Sequence, residues 1–140
     1  FEQVMQGCSE PRVGQPETWI TPDMLKAYTL LHRMGIAHSI EVWKDGELAG
    51  GLYGLVMGKV FFGESMFSRS RDASKVALAA LCRQLDEWGF ALLDCQVSNS
   101  HLQSMGAVEI AREAFLSILS ENVDKNSSNL SFQKAFDPLA

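Results

Sequence analysis

Between Ile36 and Glu64 the chain runs through three strand-like segments separated by two tight turns, and little else can be built from that pattern than an antiparallel meander. Ile36–Trp43 alternates in the manner of a strand. Lys44-Asp45-Gly46-Glu47 follows, and Asp-Gly suits a two-residue hairpin because both central residues take positive φ. Leu48–Val56 returns, with Gly50, Gly51 and Gly54 inside it, where glycine marks bulges or close backbone approach. Met57-Gly58 turns again. Lys59–Glu64 makes the third strand, expected to stop at Gly63-Glu64-Ser65.

A basic loop with Arg69 and Arg71 leads into a predicted helix from Asp72 to about Trp88. Ala73, Val76, Ala77, Ala80, Leu81, Leu85 and Trp88 recur at helical spacing on one apolar face, and Gly89 ends it. A strand that follows such a helix returns parallel to its neighbour. Leu92–Val97 is that fourth strand, with Asp94 and Gln96 on one face and Cys95 on the other.

The flanks are read from local signals. Phe1–Gly7 is a short helix, and Cys8–Glu17, with Pro11, Gly14 and Pro16, is a loop. Thr21 is a good N-cap, Pro22 suits the first helical position, and Gly35 stops the helix that carries Leu25, Tyr28 and Leu31. Trp19 either packs its loop onto the core or stands out as an aromatic platform for a base. Ser98–Met105 is a turn with a short helix. Val108 starts a short strand, and Ala111–Asn122 is an amphipathic helix using Ala114, Phe115, Ile118 and Leu119. The reading gives one domain over 1–123. A polar tail follows over 124–140, in which Leu130–Phe136 can add an edge strand. The fold class is α+β, a mixed but mainly antiparallel central sheet flanked by helices. Its element order matches the N-acetyltransferase-like (GNAT) fold.

Composition narrows the function. At 46% hydrophobic, 140 residues can bury a core. The net charge of −5 is unlike that of a free-standing nucleic-acid binder, so phosphate contacts must come from a local patch or from elsewhere. Three cysteines without Cys-x-x-Cys spacing imply reduced thiols and a cytoplasmic protein. The three histidines share no metal-ligand spacing. No apolar run approaches the ~20 residues that span a bilayer. A chain without an initiator Met is expected to be a processed or excised piece.

Chemistry concentrates in the strand–loop–helix stretch Val60–Leu78 and in Asp94–Gln96. Backbone N–H groups and the dipole at a helix start attract anions, and Arg69, Arg71 and Lys75 lie beside one. Glu64 either binds a positive charge or pairs with Arg69. Asp94 either acts on a proton or caps the Ser98 turn.

The words Thr18-Trp19-Ile20-Thr21, His38-Ser39-Ile40-Glu41-Val42-Trp43, Gly50-Gly51-Leu52-Tyr53-Gly54, Gly63-Glu64-Ser65-Met66-Phe67-Ser68-Arg69, Ala73-Ser74-Lys75 and Asp94-Cys95-Gln96 resemble, in this order, the leucyl/phenylalanyl-tRNA–protein transferase family over roughly residues 1 to 120. The resemblance implies transfer of Leu or Phe, and less well Met, from charged tRNA to the N-terminal Arg or Lys of a protein, which marks it for degradation. It implies Asp94 and Gln96 as catalytic residues, with Glu64 on a positive charge and Asn99 on acceptor backbone. It implies an apolar donor pocket of Leu52, Phe61, Met66, Leu81 and Leu93, and Trp19 stacked on the terminal adenine. Two departures are expected: the family's N-terminal domain is absent, and the tail after residue 123 is unlike the family's end. An aminoacyl ester is already activated, so no metal or cofactor is expected; the enzyme must hold the ester, stabilise the oxyanion and keep the amine neutral. A free α-amine has a pKa of roughly 8, so that last demand is modest. The expected partners are aminoacyl-tRNA and the acceptor protein, with no membrane, and the chain is expected to be a monomer.

The rivals are an acyl-CoA N-acyltransferase and a non-catalytic tRNA- or peptide-binding domain. Ser68-Arg69-Ser70-Arg71-Asp72 has no glycine where a CoA enzyme presents a glycine-rich turn, which counts against the first. A Cys95–His101 nucleophile pair is a further reading, weakened because Cys95 faces away from Asp94.

Overall fold

The computed structural model describes residues 1–14, 16–128 and 130–132. Its elements are α1 (Glu2–Ser9), α2 (Pro22–Arg33), β1 (Ala37–Lys44), β2 (Glu47–Met57), β3 (Val60–Ser68), α3 (Ala73–Glu87), β4 (Leu92–Asp94), α4 (Ser100–Ser104) and α5 (Arg112–Asn122). The strands form one sheet in the order β1-β2-β3-β4. β1–β2 and β2–β3 pair antiparallel, while β3–β4 pair parallel. The sheet is therefore mixed, and the expectation of a mainly antiparallel one is corrected. Its cause is α3: a helix that fills the connection from β3 brings the next strand back in the same direction.

Local chemistry starts and stops the elements as expected. Thr21 Oγ accepts from Met24 N at 3.2 Å, and Pro22 opens α2. Asp45 and Gly46 take φ of 52° and 81°, the two positive values of a type I′ turn. The start of α3 is capped from a strand: Ser68 Oγ accepts from Ser74 N at 2.8 Å. Asp72, the residue before α3, sits in left-handed backbone and makes no side-chain cap bond.

Two apolar layers cover the sheet. On one face, Val4, Met5 and Cys8 of α1 pack with Ile20, Leu48, Tyr53 and Phe67, and Leu25 and Tyr28 of α2 join them. On the other, Ala77, Leu78, Leu81 and Leu85 of α3 pack on Leu52 and Phe61, with Leu102 of α4. Val76, expected on the buried face of α3, is exposed, whereas Leu78 is buried. The strand glycines mark close approach. A Cβ at Gly50 would lie 2.6 Å from Ala73 Cβ, and one at Gly54 would collide with the Phe62 carbonyl and the Phe61 ring.

Several boundaries differ from expectation. β3 does not stop at Gly63-Glu64-Ser65 but runs to Ser68, because β2 is long enough to pair with it as far as Gly50↔Ser68. β4 ends at Asp94 rather than Val97, since Gln96 has φ 65° and leaves the strand region. No strand forms at Val108, which is 80% exposed and finds no ladder partner among the described residues. In α5, Phe115, Ile118 and Leu119 are only half-buried and Ala114 is exposed. Leu130–Phe132 are not in a strand, and the rest of the expected edge strand lies outside the described residues.

Candidate functional site at the parting of β3 and β4

β4 accompanies β3 only along Val60–Phe62, so among the described residues the second half of β3 has no strand neighbour on that side. Into this opening the sequence inserts a bulge. Tyr53 pairs with Ser65 and Gly54 with Gly63, which leaves Glu64 as the extra residue of β3. A one-residue insertion switches the faces of everything after it. Phe61 accordingly lies in the cluster under α3 and so does Met66, five residues on, while Phe67 crosses to the α1 side.

Glu64 is half-buried at this bulge. Its carboxyl is held above the ordinary carboxylate value by burial and by the nearby charge of Asp94, against hydrogen bonds from Tyr28 and Gln96 that favour the ionised form. The expected alternative, an ion pair of Glu64 with Arg69, does not form. Arg69 Nη2 lies 2.5 Å from Glu10 Oε1, and Arg69 Nη1 donates to the Leu48 carbonyl at 3.3 Å.

Asp94 and Gln96 meet, but not as neighbours on a strand face. Asp94 Oδ1 accepts from the backbone N–H of Gln96 at 2.8 Å, an Asx turn closed just past the end of β4. Gln96 adopts left-handed backbone in that turn, which returns its side chain towards Glu64. The pleat expected to align the two is corrected to a turn. Asp94 does cap a turn, but at Gln96 rather than at Ser98.

The remaining candidates divide. Leu52, Phe61 and Leu81 are buried, and half-buried Met66 and Leu93 pack against them, so all five belong to one apolar cluster under α3. Trp19, three residues before α2, is 53% exposed. Asn99, an exposed residue, caps α4 through Oδ1, which accepts from Leu102 N at 2.8 Å. The basic group is balanced rather than open: Arg69 is tied to Glu10, and Asp72 takes both Lys75 at 2.9 Å and Arg71 at 3.5 Å. Cys95 packs into the α3 cluster, and burial, Cys82 and Asp94 all push its thiol upward, the opposite of an activated nucleophile.

Two cavities flank this architecture. One of about 250 Å³ lies beside the open half of β3, between Arg12, Met66, Ser68, Ser74 and His101. There Arg12 Nη2 donates to the Met66 carbonyl at 2.7 Å, on the strand that β4 has left. The larger, about 1140 Å³, follows β1 past His32, His38 and Trp88. It contains none of Glu64, Asp94 and Gln96. Among the described residues no group of three or more His, Cys, Asp or Glu side chains is placed to hold a metal. None of the described helices is long and apolar enough to cross a membrane.

One residue of this arrangement was missed from the sequence. Tyr28 shares a helical stripe with Leu25 and Leu31 and reads as packing. The structure sets its ring edge-on to Tyr53 at 5.6 Å, and burial, with Glu64 adding to it, pushes its hydroxyl up to about 12. A hydroxyl on an otherwise apolar stripe was the available signal.

Fold and site together define an α+β domain whose polar groups, two carboxylates and a carboxamide, gather where neighbouring strands part beside an apolar cluster. The model of the family described as leucyl/phenylalanyl-tRNA protein transferase matches residues 1–120, and the chain belongs to that family. Similar curated proteins carry the name leucyl/phenylalanyl-tRNA–protein transferase. One from Nitrosomonas europaea is 60% identical over 115 residues, covering 82% of this chain and 49% of the relative. One from Nitrosomonas eutropha is 57% identical over 129 residues, 92% of this chain and 55% of the relative. A third, from Stutzerimonas stutzeri, is 56% identical over 128 residues, 91% of this chain and 57% of the relative. The chain thus spans about half the length of the curated relatives it matches.

Proposed function

We propose that this chain carries the transfer site of a leucyl/phenylalanyl-tRNA–protein transferase. It moves Leu or Phe, and less well Met, from charged tRNA to the N-terminal Arg or Lys of a protein. One observation carries the reading: Glu64, Asp94 and Gln96 converge at the parting of β3 and β4, next to the apolar cluster of Leu52, Phe61, Met66, Leu81 and Leu93. We assign the scaffold to the GNAT-like fold on the same grounds of element order and strand parting.

In this reading the donor's side chain enters the apolar cluster, where adaptable Met66 allows both Leu and Phe. Trp19 stacks on the terminal adenine, a contact worth ~1–3 kcal/mol. Glu64 receives a positive charge, the donor's ammonium or the acceptor's, and Asn99 meets acceptor backbone. Asp94, fixed by the Gln96 N–H, attracts the attacking ammonium and helps draw off its proton. Gln96 orients the amine or donates to the carbonyl oxygen, and tRNA-linked hydroxyls can share the proton transfer. The ester bond breaks as the amide forms, so no metal, nucleotide or coenzyme is needed. Arg71 and Lys75 are the loop's candidates for phosphate, with Arg69 committed to Glu10. The chain acts as a monomer in the cytoplasm.

The acyl-CoA alternative fits the start of α3 poorly. Ser74 N is already given to Ser68 Oγ and Ala73 N to the Ser70 carbonyl, and Asp72 places a negative charge where a pyrophosphate would lie. The test offers an Arg-starting peptide with either Leu-tRNA or acetyl-CoA. Consumption of Leu-tRNA is expected; consumption of acetyl-CoA alone overturns the proposal.

A further inference from the structure

Phe61 is fully buried in the apolar cluster under α3, and its ring lies over Gly54 of β2, where a Cβ would collide with it. Gly54 has no side chain to stop that ring from turning, so the stop must come from elsewhere. Across β2 from Phe61, Gly54 pairs with His38 of β1. His38 shares the α3 face with Ile40 and Val42, two and four residues on. A residue from the segment after α5 meets both rings. Phe132 stacks on His38 with centroids 4.0 Å apart and planes 19° apart, and its ring centre lies 6.2 Å from that of Phe61. Trp88, at the end of α3, meets Phe132 edge-on at 4.8 Å. Two of these neighbours are themselves anchored: His38 Nε2–H donates to the Gly35 carbonyl at 2.9 Å, and the Trp88 carbonyl accepts from Lys59 Nζ at 2.8 Å. The cavity of about 1140 Å³ along β1 is lined by His38, Trp88 and Phe132 but not by Phe61, so Phe132 stands between that space and the cluster.

We infer that Phe132 is a positioning residue for donor choice: it backs the Phe61 ring and so sets how deep a donor side chain enters the apolar cluster. The inference rests on the proposed function above, in which Phe61 lines the donor pocket. Removing the Phe132 ring joins the space behind Phe61 to the cavity along β1, and the Phe61 ring gains room to move back. Phe is longer than Leu, so it gains more from the added depth. The segment after α5 thereby takes part in specificity although it lies far along the chain from Glu64, Asp94 and Gln96.

The test is Phe132→Ala, read in two ways. Calorimetry measures the binding of non-reactive 3′-amide analogues of leucyl- and phenylalanyl-adenosine. Transfer from Leu-tRNA and Phe-tRNA to an Arg-starting peptide gives kcat and KM for each donor. The preference for Phe over Leu should rise about tenfold in both, the low end of what one methylene of pocket depth is worth. In transfer the rise should appear in KM with kcat held, because depth adds the same binding to ground and transition states. Phe132→Leu, shorter but still apolar, should shift the preference the same way by less, and it decides the matter if the alanine variant does not fold. His38→Ala, which removes the stack behind Phe132, should act in the same direction. A lowered melting temperature with an unchanged Phe-to-Leu preference in the folded variants overturns the inference and leaves Phe132 as packing. A parent that binds both analogues but transfers from neither tRNA overturns the proposed function, and a shifted binding preference in the variants then still upholds Phe132 as the back of the pocket.

Discussion

Gln96 offers the sharpest test of the site, because its backbone sits at φ 65° in a turn where a β-carbon is strained. A residue with a side chain costs about 1–2 kcal/mol there, a cost glycine escapes. Glycine elsewhere costs about 0.5–1 kcal/mol relative to alanine through the freedom it loses on folding. Comparing Gln96→Ala with Gln96→Gly removes the carboxamide from both and leaves only the backbone difference. The two contributions oppose, so the glycine variant should be the more stable by up to about 1.5 kcal/mol. In a chain of 140 residues each kcal/mol moves the melting temperature by about 3 °C. Urea unfolding of the two variants gives the number directly. Both variants should transfer more slowly than the parent, since the carboxamide that faces Glu64 is gone. Strain kept at a position whose relief stabilises the fold but slows the reaction is strain in the service of function. An alanine variant more stable than the glycine variant refutes the backbone argument, and full transfer in both removes Gln96 from the site.

The Glu64 carboxyl lies above its ordinary value of 4.5, so the folded state binds its proton more tightly than the unfolded state does. Its contribution to stability is therefore favourable at low pH and declines as the pH rises from about 4.5 through the folded value. Glu64→Gln should stabilise the fold at pH 7, with the gain vanishing below about pH 4, as thermal melts across pH would register. Leu81 is fully buried in the α3 cluster, and enlarging it to Phe should cost ~1–3 kcal/mol of stability. A folded Leu81→Phe variant should penalise Phe more than Leu as donor; an unchanged preference assigns Leu81 to the ordinary core. Arg71→Ala should reduce the slope of tRNA affinity against salt by about one, the mark of one phosphate contact. Arg69→Ala should act instead on stability, since Arg69 braces Glu10, the Leu48 carbonyl and the Phe67 ring; equal effects of both on the slope would return Arg69 to the phosphate group.

What the chain alone determines is local. The Thr21-Pro22 helix start needs only neighbours one to three residues away, and so does the Asp45-Gly46 turn. The meander follows from alternation between such turns, and most of the apolar face of α3 follows from helical period. Family words singled out Glu64, Asp94 and Gln96, but not the conformations they take. Tertiary structure decided the rest, because the deciding partners are distant in sequence. β3 continues past Glu64 only because β2 stands beside it, and the bulge exists only in that pairing. Arg69 is taken from the phosphate group by Glu10, 59 residues away. Tyr28 meets Tyr53 of β2 only because the folded chain brings α2 onto the sheet. Gln96 turns back because Asp94, at the last residue of β4, has a carboxylate oxygen free to accept its N–H once β4 parts from β3. A periodicity argument assigns a residue to a face; it does not say which distant group meets it there, and in this domain that meeting makes the site.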